Sequence, residues 1–236
     1  AGYAGTLAVG VDSQGLAHAW QVTDQTYVRS VSVMGYDNVS RRLLEATNKP
    51  NAPIPLTFTR TACWLNDDGN EKLSVVGRDS FVREFTFGSS LFTLSRFNRS
   101  GTHIAFDTRE KNRLWMVDTD ERLRLINSET GETIARSDES VGPVNAICST
   151  RSGLMTAGTE LQTWDVSGES IQLVREFETP ESELLSLAVT PNGKQIASVD
   201  ADAKLVFWDM KDERRDTSIQ LPAGSRPSTG AVAFSR

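Results

Sequence analysis

The chain has 236 residues, 38% of them apolar and 24% charged, with a formal net charge of −6. That length suits one large all-β domain or two small ones and permits a sizeable buried core. The acidic balance disfavours direct nucleic-acid contact, which needs clustered Lys and Arg, and no apolar run approaches the ~18 residues of a membrane-spanning helix. In chain order, the N-terminus AGYAGTLAVGVDSQG lacks the basic start and long apolar core of a signal peptide. It begins without Met inside a strand-like run, so a piece of something longer is expected. TLAVGV, LAHAWQV and YVRSVSV read as strands, followed by a loop insertion, YDNVSRRLLEATNKPNAPIP (36–55). Within it, SRRLLEAT (40–47) is the one helical candidate, too short to stand alone. KLSVVG, FVREFTF, LRLI, LQTWDV, LLSLAV and KLVFWDM are again strands, bounded by NDDGN, SETGE, RSG, VSGE, PNG and DADA turns. Such runs predict antiparallel meanders.

Cys63 and Cys148 sit in apolar, strand-like runs. Two cysteines make no disulfide framework, so buried thiols in a reducing compartment are expected, with an intracellular location, cytoplasmic or nuclear. The sequons at Asn38 and Asn98 weigh little against this.

Short strands at even spacing call for a search for repeats. LLSLAVTPNGKQIASVDADAKLVFWDM (184–210) reads strand, turn, strand, turn, strand, ending Trp208-Asp209. VNAICSTRSGLMTAGTELQTWDV (144–166) has the same order, ending Trp164-Asp165. Ile126-Asn127, Phe85-Thr86 and Trp20-Gln21 stand in the equivalent place earlier. The markers at 20, 85, 126, 164 and 208 are separated by 65, 41, 38 and 44 residues, and the first interval holds the insertion. Residues 92–118 also permit a repeat of their own ending Val117-Asp118. The better fit gives LFTLSRF to the outer edge of one unit and RLWMVD to the middle of the next.

On these Trp-Asp endings at repeat spacing, the chain resembles the WD-repeat β-propeller family. The resemblance implies an all-β fold of about five recognisable four-stranded blades, as a whole ring or as a fragment of one with roughly six to eight. Blade boundaries fall near 1–35 with 228–236, 56–98, 101–139, 142–179 and 183–223. The C-terminal GAVAFS (230–235) would complete the first blade and close the ring. The family's turn Asp, six residues before the marker, falls on Asp79, Asp120 and Asp202, with Gln14 and Gly158 in the other two units. An Asp there accepts hydrogen bonds within its blade. The family's Gly-His pair is missing, with Thr179-Pro180 and Glu139-Ser140 in its place.

Nothing in the chain assembles catalytic chemistry above background. His18 and His103 both lie in or at strands, no set has metal-ligand spacing, and no nucleophile elbow or phosphate-binding glycine loop occurs. No catalytic residue, cofactor or metal is therefore expected. The acidic residues say more. In the implied ring, one face gathers the turns between second and third strands with Asp12, Asp79, Asp118, Asp120, Glu160, Asp200 and Asp202. The inter-blade connections add Asp138, Glu139, Glu178, Glu181 and Glu183. Arg41, Arg42, Arg78 and Arg226 oppose them. A net-negative face attracts a basic peptide or domain. The insertion, with Arg41, Arg42, Leu43 and Leu44 in an amphipathic stretch, is a second candidate surface.

Three functions follow as expectations. The first is a non-catalytic scaffold subunit of a multiprotein assembly. The second is a chromatin- or nucleic-acid-machinery-associated propeller reading a basic peptide. The third is an enzyme or small-ligand propeller using the central channel.

Overall fold

The computed structural model describes residues 101–178, 180–190, 192–222, 232 and 234. Before them it describes strand segments 7–11, 16–21, 27–32, 61–65, 71–76, 81–87 and 92–100, with side-chain surroundings given there for Ser74 and Val76. The 36–55 insertion, its helical candidate, Asp12, Arg78, Asp79 and Arg226 lie outside the described residues. So does most of GAVAFS, though Val232 N–H donates to Ser186 Oγ at 3.1 Å. The described residues contain strands and no helix.

Two compact units divide at residue 100. In the first, β1 (Leu7–Val11), β2 (Leu16–Gln21) and β3 (Tyr27–Ser32) form an antiparallel meander. A second meander joins β4 (Thr61–Leu65), β5 (Glu71–Val76), β6 (Phe81–Phe87) and the start of β7 (Phe92–Phe106).

The second unit holds three consecutive four-stranded meanders. Blade A comprises β7 from Gly101 onward, β8 (Arg113–Asp118), β9 (Leu123–Asn127) and β10 (Thr133–Ser137). Blade B comprises β11 (Val144–Thr150), β12 (Gly153–Gly158), β13 (Leu161–Ser167) and β14 (Ser170–Glu176). Blade C comprises β15 (Leu184–Val189), β16 (Gln195–Asp200), β17 (Lys204–Asp209) and β18 (Arg214–Gln220). RLWMVD is thus a second strand, as the preferred repeat boundary required.

Packing explains why the middle strands read as continuous apolar runs. The second strands β8, β12 and β16 are buried on both faces, so both sides of their pleat are largely apolar. β12 shows this: Leu154 packs with Trp115, Leu123 and Leu125 of blade A, while its neighbour Met155 packs with Ile196, Val206 and Trp208 of blade C. Burying one such side chain contributes roughly 1.5–3 kcal/mol. Outer strands then tie blade to blade. Arg136 N–H of blade A donates to Glu169 O in the last hairpin of blade B, and Glu178 N–H donates to Glu213 O in that of blade C.

The marker tryptophans organise these interfaces. Trp164 is opposite Leu154, and its indole N–H donates to Thr156 Oγ1 at 2.9 Å. Trp208 is opposite Ile196, and its N–H donates to Ser198 Oγ at 2.8 Å. The hydroxyl sits two residues beyond the cross-strand partner in both blades. In blade A the marker is Ile126, opposite Leu114, and Met116 stands where the hydroxyl would be. An apolar marker needs no acceptor, and both positions change together. A second signal is in the backbone. The pairing of the marker's strand with the strand that follows slips by one residue between Ala19 and Trp20, Thr163 and Trp164, and Phe207 and Trp208. Trp20 therefore occupies the same structural position in the first unit as the other two markers do in the second.

Ser198→Ala is expected to destabilise the chain by about 1–3 kcal/mol, because it strands a buried indole N–H. In a Trp208→Phe background the same change is expected to cost far less. Urea denaturation of the four proteins measures this. An equal cost in both backgrounds would contradict the assigned role of Ser198.

Candidate functional site

One end of the second unit collects the turns between second and third strands, at residues 118–123, 158–161 and 200–204, with the connections between blades. Two of these turns are built alike. Asp118 Oδ1 accepts the backbone N–H groups of Asp120 and Arg122, both at 2.9 Å. Asp200 Oδ1 accepts those of Asp202 and Lys204 at 3.0 and 2.8 Å. Glu121 and Ala203 take the left-handed conformation, each with φ near 59°, which turns the following N–H back toward the carboxylate. The hydrogen-bonding role expected of Asp120 and Asp202 thus falls two residues earlier. Asp118 and Asp200 are buried, whereas Asp120 and Asp202 are exposed.

The connections are stapled to the turns. Val141 N–H donates to Glu121 O and Ala201 N–H to Glu183 O, each at 2.8 Å. Asn145 Nδ2 donates to Glu183 Oε1 and Leu184 O. Glu181 bridges Arg215 at 2.9 Å and Lys204 at 3.1 Å. Hydrogen bonds from Arg215 and then from Lys204 hold the Glu181 carboxyl down at about 2. Asp118 is likewise bridged by Arg124 at 2.8 Å. Sequence reasoning counted Asp118 and Glu181 as negative and missed the cations that balance them. The available signal was a Lys or Arg in the third strand, four to six residues after the capping Asp.

The remaining predicted carboxylates divide cleanly. Asp120, Asp138, Glu139, Glu160, Glu178, Glu183 and Asp202 are exposed, and among the described residues none forms a salt bridge. The marker positions lie at the opposite end and have structural partners. Asp209 Oδ1 accepts the N–H groups of Lys211 and Asp212, which keep its pKa low, and Asn127 Oδ1 does the same for Glu129 and Thr130. Asp165 receives Arg109 of blade A, whose guanidinium also meets Asp107 and lies 5.7 Å from the Trp115 ring centroid. In the first unit Trp20 lies in β2, the middle strand of its described meander, and Phe85 in β6, the third strand of its own. Arg41, Arg42, Leu43 and Leu44 lie outside the described residues. His103 bonds Thr102 Oγ1 through Nδ1 at 3.2 Å. Cys148 is half-buried against the B–C core, and burial pushes its thiol pKa up. Among the described residues no group of three His, Cys, Asp or Glu side chains is placed to hold a metal ion, and no helix is long and apolar enough to cross a membrane.

Asp200→Ala is expected to cost about 1–2 kcal/mol through two lost backbone bonds, and Asp202→Ala less than about 0.5, measured by denaturant midpoints. Equal costs would place the cap wrongly. A lowered carboxylate pKa stabilises above its ordinary value of 4.5, and that contribution fades as pH falls toward about 2. Arg215→Gln is therefore expected to move the Glu181 carboxylate titration, followed by NMR, upward toward 4.5. An unmoved midpoint would mean that Arg215 does not hold it.

No protein-family profile matches the chain. It is 29% identical over 125 residues to the Periodic tryptophan protein 2 homolog of Schizosaccharomyces pombe. The match covers 51% of this chain and 13% of that relative's length. The described architecture is all-β and is that of a β-propeller fragment.

Proposed function

We propose that this chain is part of a WD-repeat propeller that serves as a non-catalytic scaffold in a multiprotein assembly. Its turn face receives a basic peptide or domain. The observation that carries this reading is the division of charge on that face. Buried Asp118 and Asp200 fix two turns, backbone bonds staple the connections, and the carboxylates left over project from a framework already in place. A preorganised surface loses little entropy when a partner docks. Its unpaired charge speeds encounter with a cationic partner and is screened by salt. The likeness to a periodic-tryptophan protein supports the propeller part of this reading.

The test compares two charge-neutralised variants of the full chain binding immobilised oligolysine. In one, Asp120, Asp138, Glu139 and Asp202 become amides. In the other, Glu129, Glu132, Glu169 and Asp212, at the opposite end of the same blades, become amides. The first variant is expected to associate about tenfold more slowly than the parent at low salt, the difference shrinking as salt rises. The second is expected to lose much less. Equal losses would reduce the effect to net charge and overturn the assignment of the face.

A further inference from the structure

The middle turn of the face departs from its neighbours, and the departure leaves a hole. Blades A and C carry a capping Asp at the end of their second strand, whereas blade B carries Gly158 there and a tight hairpin, with Gly158 N–H donating to Glu160 O at 3.0 Å. Glycine is required, because a Cβ on residue 158 would stand 2.1 Å from Pro143 O. The connection from blade A thus passes against the bare backbone of blade B. Beside that crossing lies a cavity of about 40 Å³. Val141, Pro143 and Val144 form an apolar wall, with Glu160 and Gln162 also lining it. Gln162 Nε2 donates to Glu160 Oε2 at 2.6 Å, which leaves the amide carbonyl oxygen and the second carboxylate oxygen as acceptors. Glu160 is exposed and forms no salt bridge among the described residues.

We propose that this notch takes the ammonium end of a lysine side chain from the partner on the turn face. The inference deepens the reading above and rests on it. Size admits the group. One water-sized site needs roughly 10–15 Å³, so the cavity holds about three small groups. That fits an ammonium and its last methylenes. Chemistry selects it. Apolar walls suit the methylene stem, and an unpaired carboxylate beside an amide oxygen suits a compact cation with three donors.

The test uses amide NMR spectra of the full chain titrated with n-butylammonium chloride, and with n-butanol and ethylguanidinium chloride at matched ionic strength. Butylammonium is expected to produce saturable shifts at Gly142, Val144 and residues 157–160, with millimolar affinity. Butanol and ethylguanidinium are expected to bind at least about tenfold more weakly. Glu160→Gln keeps a hydrogen-bond acceptor, is exposed, and is expected to weaken butylammonium about tenfold while leaving the remaining amide shifts in place. No saturable shift at these amides would overturn the proposal, as would equal binding of ethylguanidinium or an unaffected Glu160→Gln variant. The two readings fail separately. Oligolysine steering that persists while the notch stays silent removes only the notch. Butylammonium binding without steering keeps the cation site and removes the basic partner.

Discussion

The indole N–H at a blade interface is the group on which the rest depends. Trp164 and Trp208 deliver large apolar surfaces between sheets, and each carries one donor that costs free energy if buried unpaired, as the Trp115 Nε1 is in the core between blades A and B. Thr156 and Ser198 resolve the conflict from the neighbouring strand, two residues past the cross-strand partner. Blade A solves it by removing both polar groups, with Ile126 and Met116. The two solutions are interchangeable because each leaves no unsatisfied donor at that position. Once the marker is seated, the third strand is fixed in rotation and height, and its ends position the turns.

From that seating the two ends of the blades acquire different work. At the marker end, Asn127 and Asp209 close hairpins and Asp165 is drawn into a clamp with Arg109, so these three side chains have partners inside the fold. At the other end, two carboxylates are consumed in turns and one in a bridge to Arg215 and Lys204, while seven stay exposed outside any described salt bridge. Exposed ion pairs contribute little to stability, so Glu181 matters mainly by holding its connection against blade C. The arrangement is a rim bearing spare negative charge, the surface proposed above for a basic partner.

The inner strands were legible because both of their faces are buried, leaving dense apolar runs between turn residues. It made the blades legible through the markers, including Ile126-Asn127, whose Asn caps its hairpin as Asp209 does. What it concealed depends on backbone geometry. The capping role moved from Asp120 and Asp202 to Asp118 and Asp200 because left-handed residues at 121 and 203 reverse the chain toward the earlier carboxylate. Arg124, Lys204 and Arg215 were overlooked as counter-ions because their partners lie across a turn or in the connection between blades. The notch was invisible, since it needs the carbonyl of Pro143 against Gly158, two residues whose proximity no local pattern announces.

The turn end of the blades is where we propose that a partner sits. Carbodiimide coupling, which joins a carboxylate directly to a touching lysine, applied to the protein purified with its partners from its own source and read by mass spectrometry, tests this most directly. Couplings to partner lysines are expected at residues 118–122, 138–142, 158–161, 178–184 and 200–204. Couplings confined to the hairpins at 128–132, 168–170 and 210–213, or a protein that purifies alone at every salt concentration, would contradict that placement.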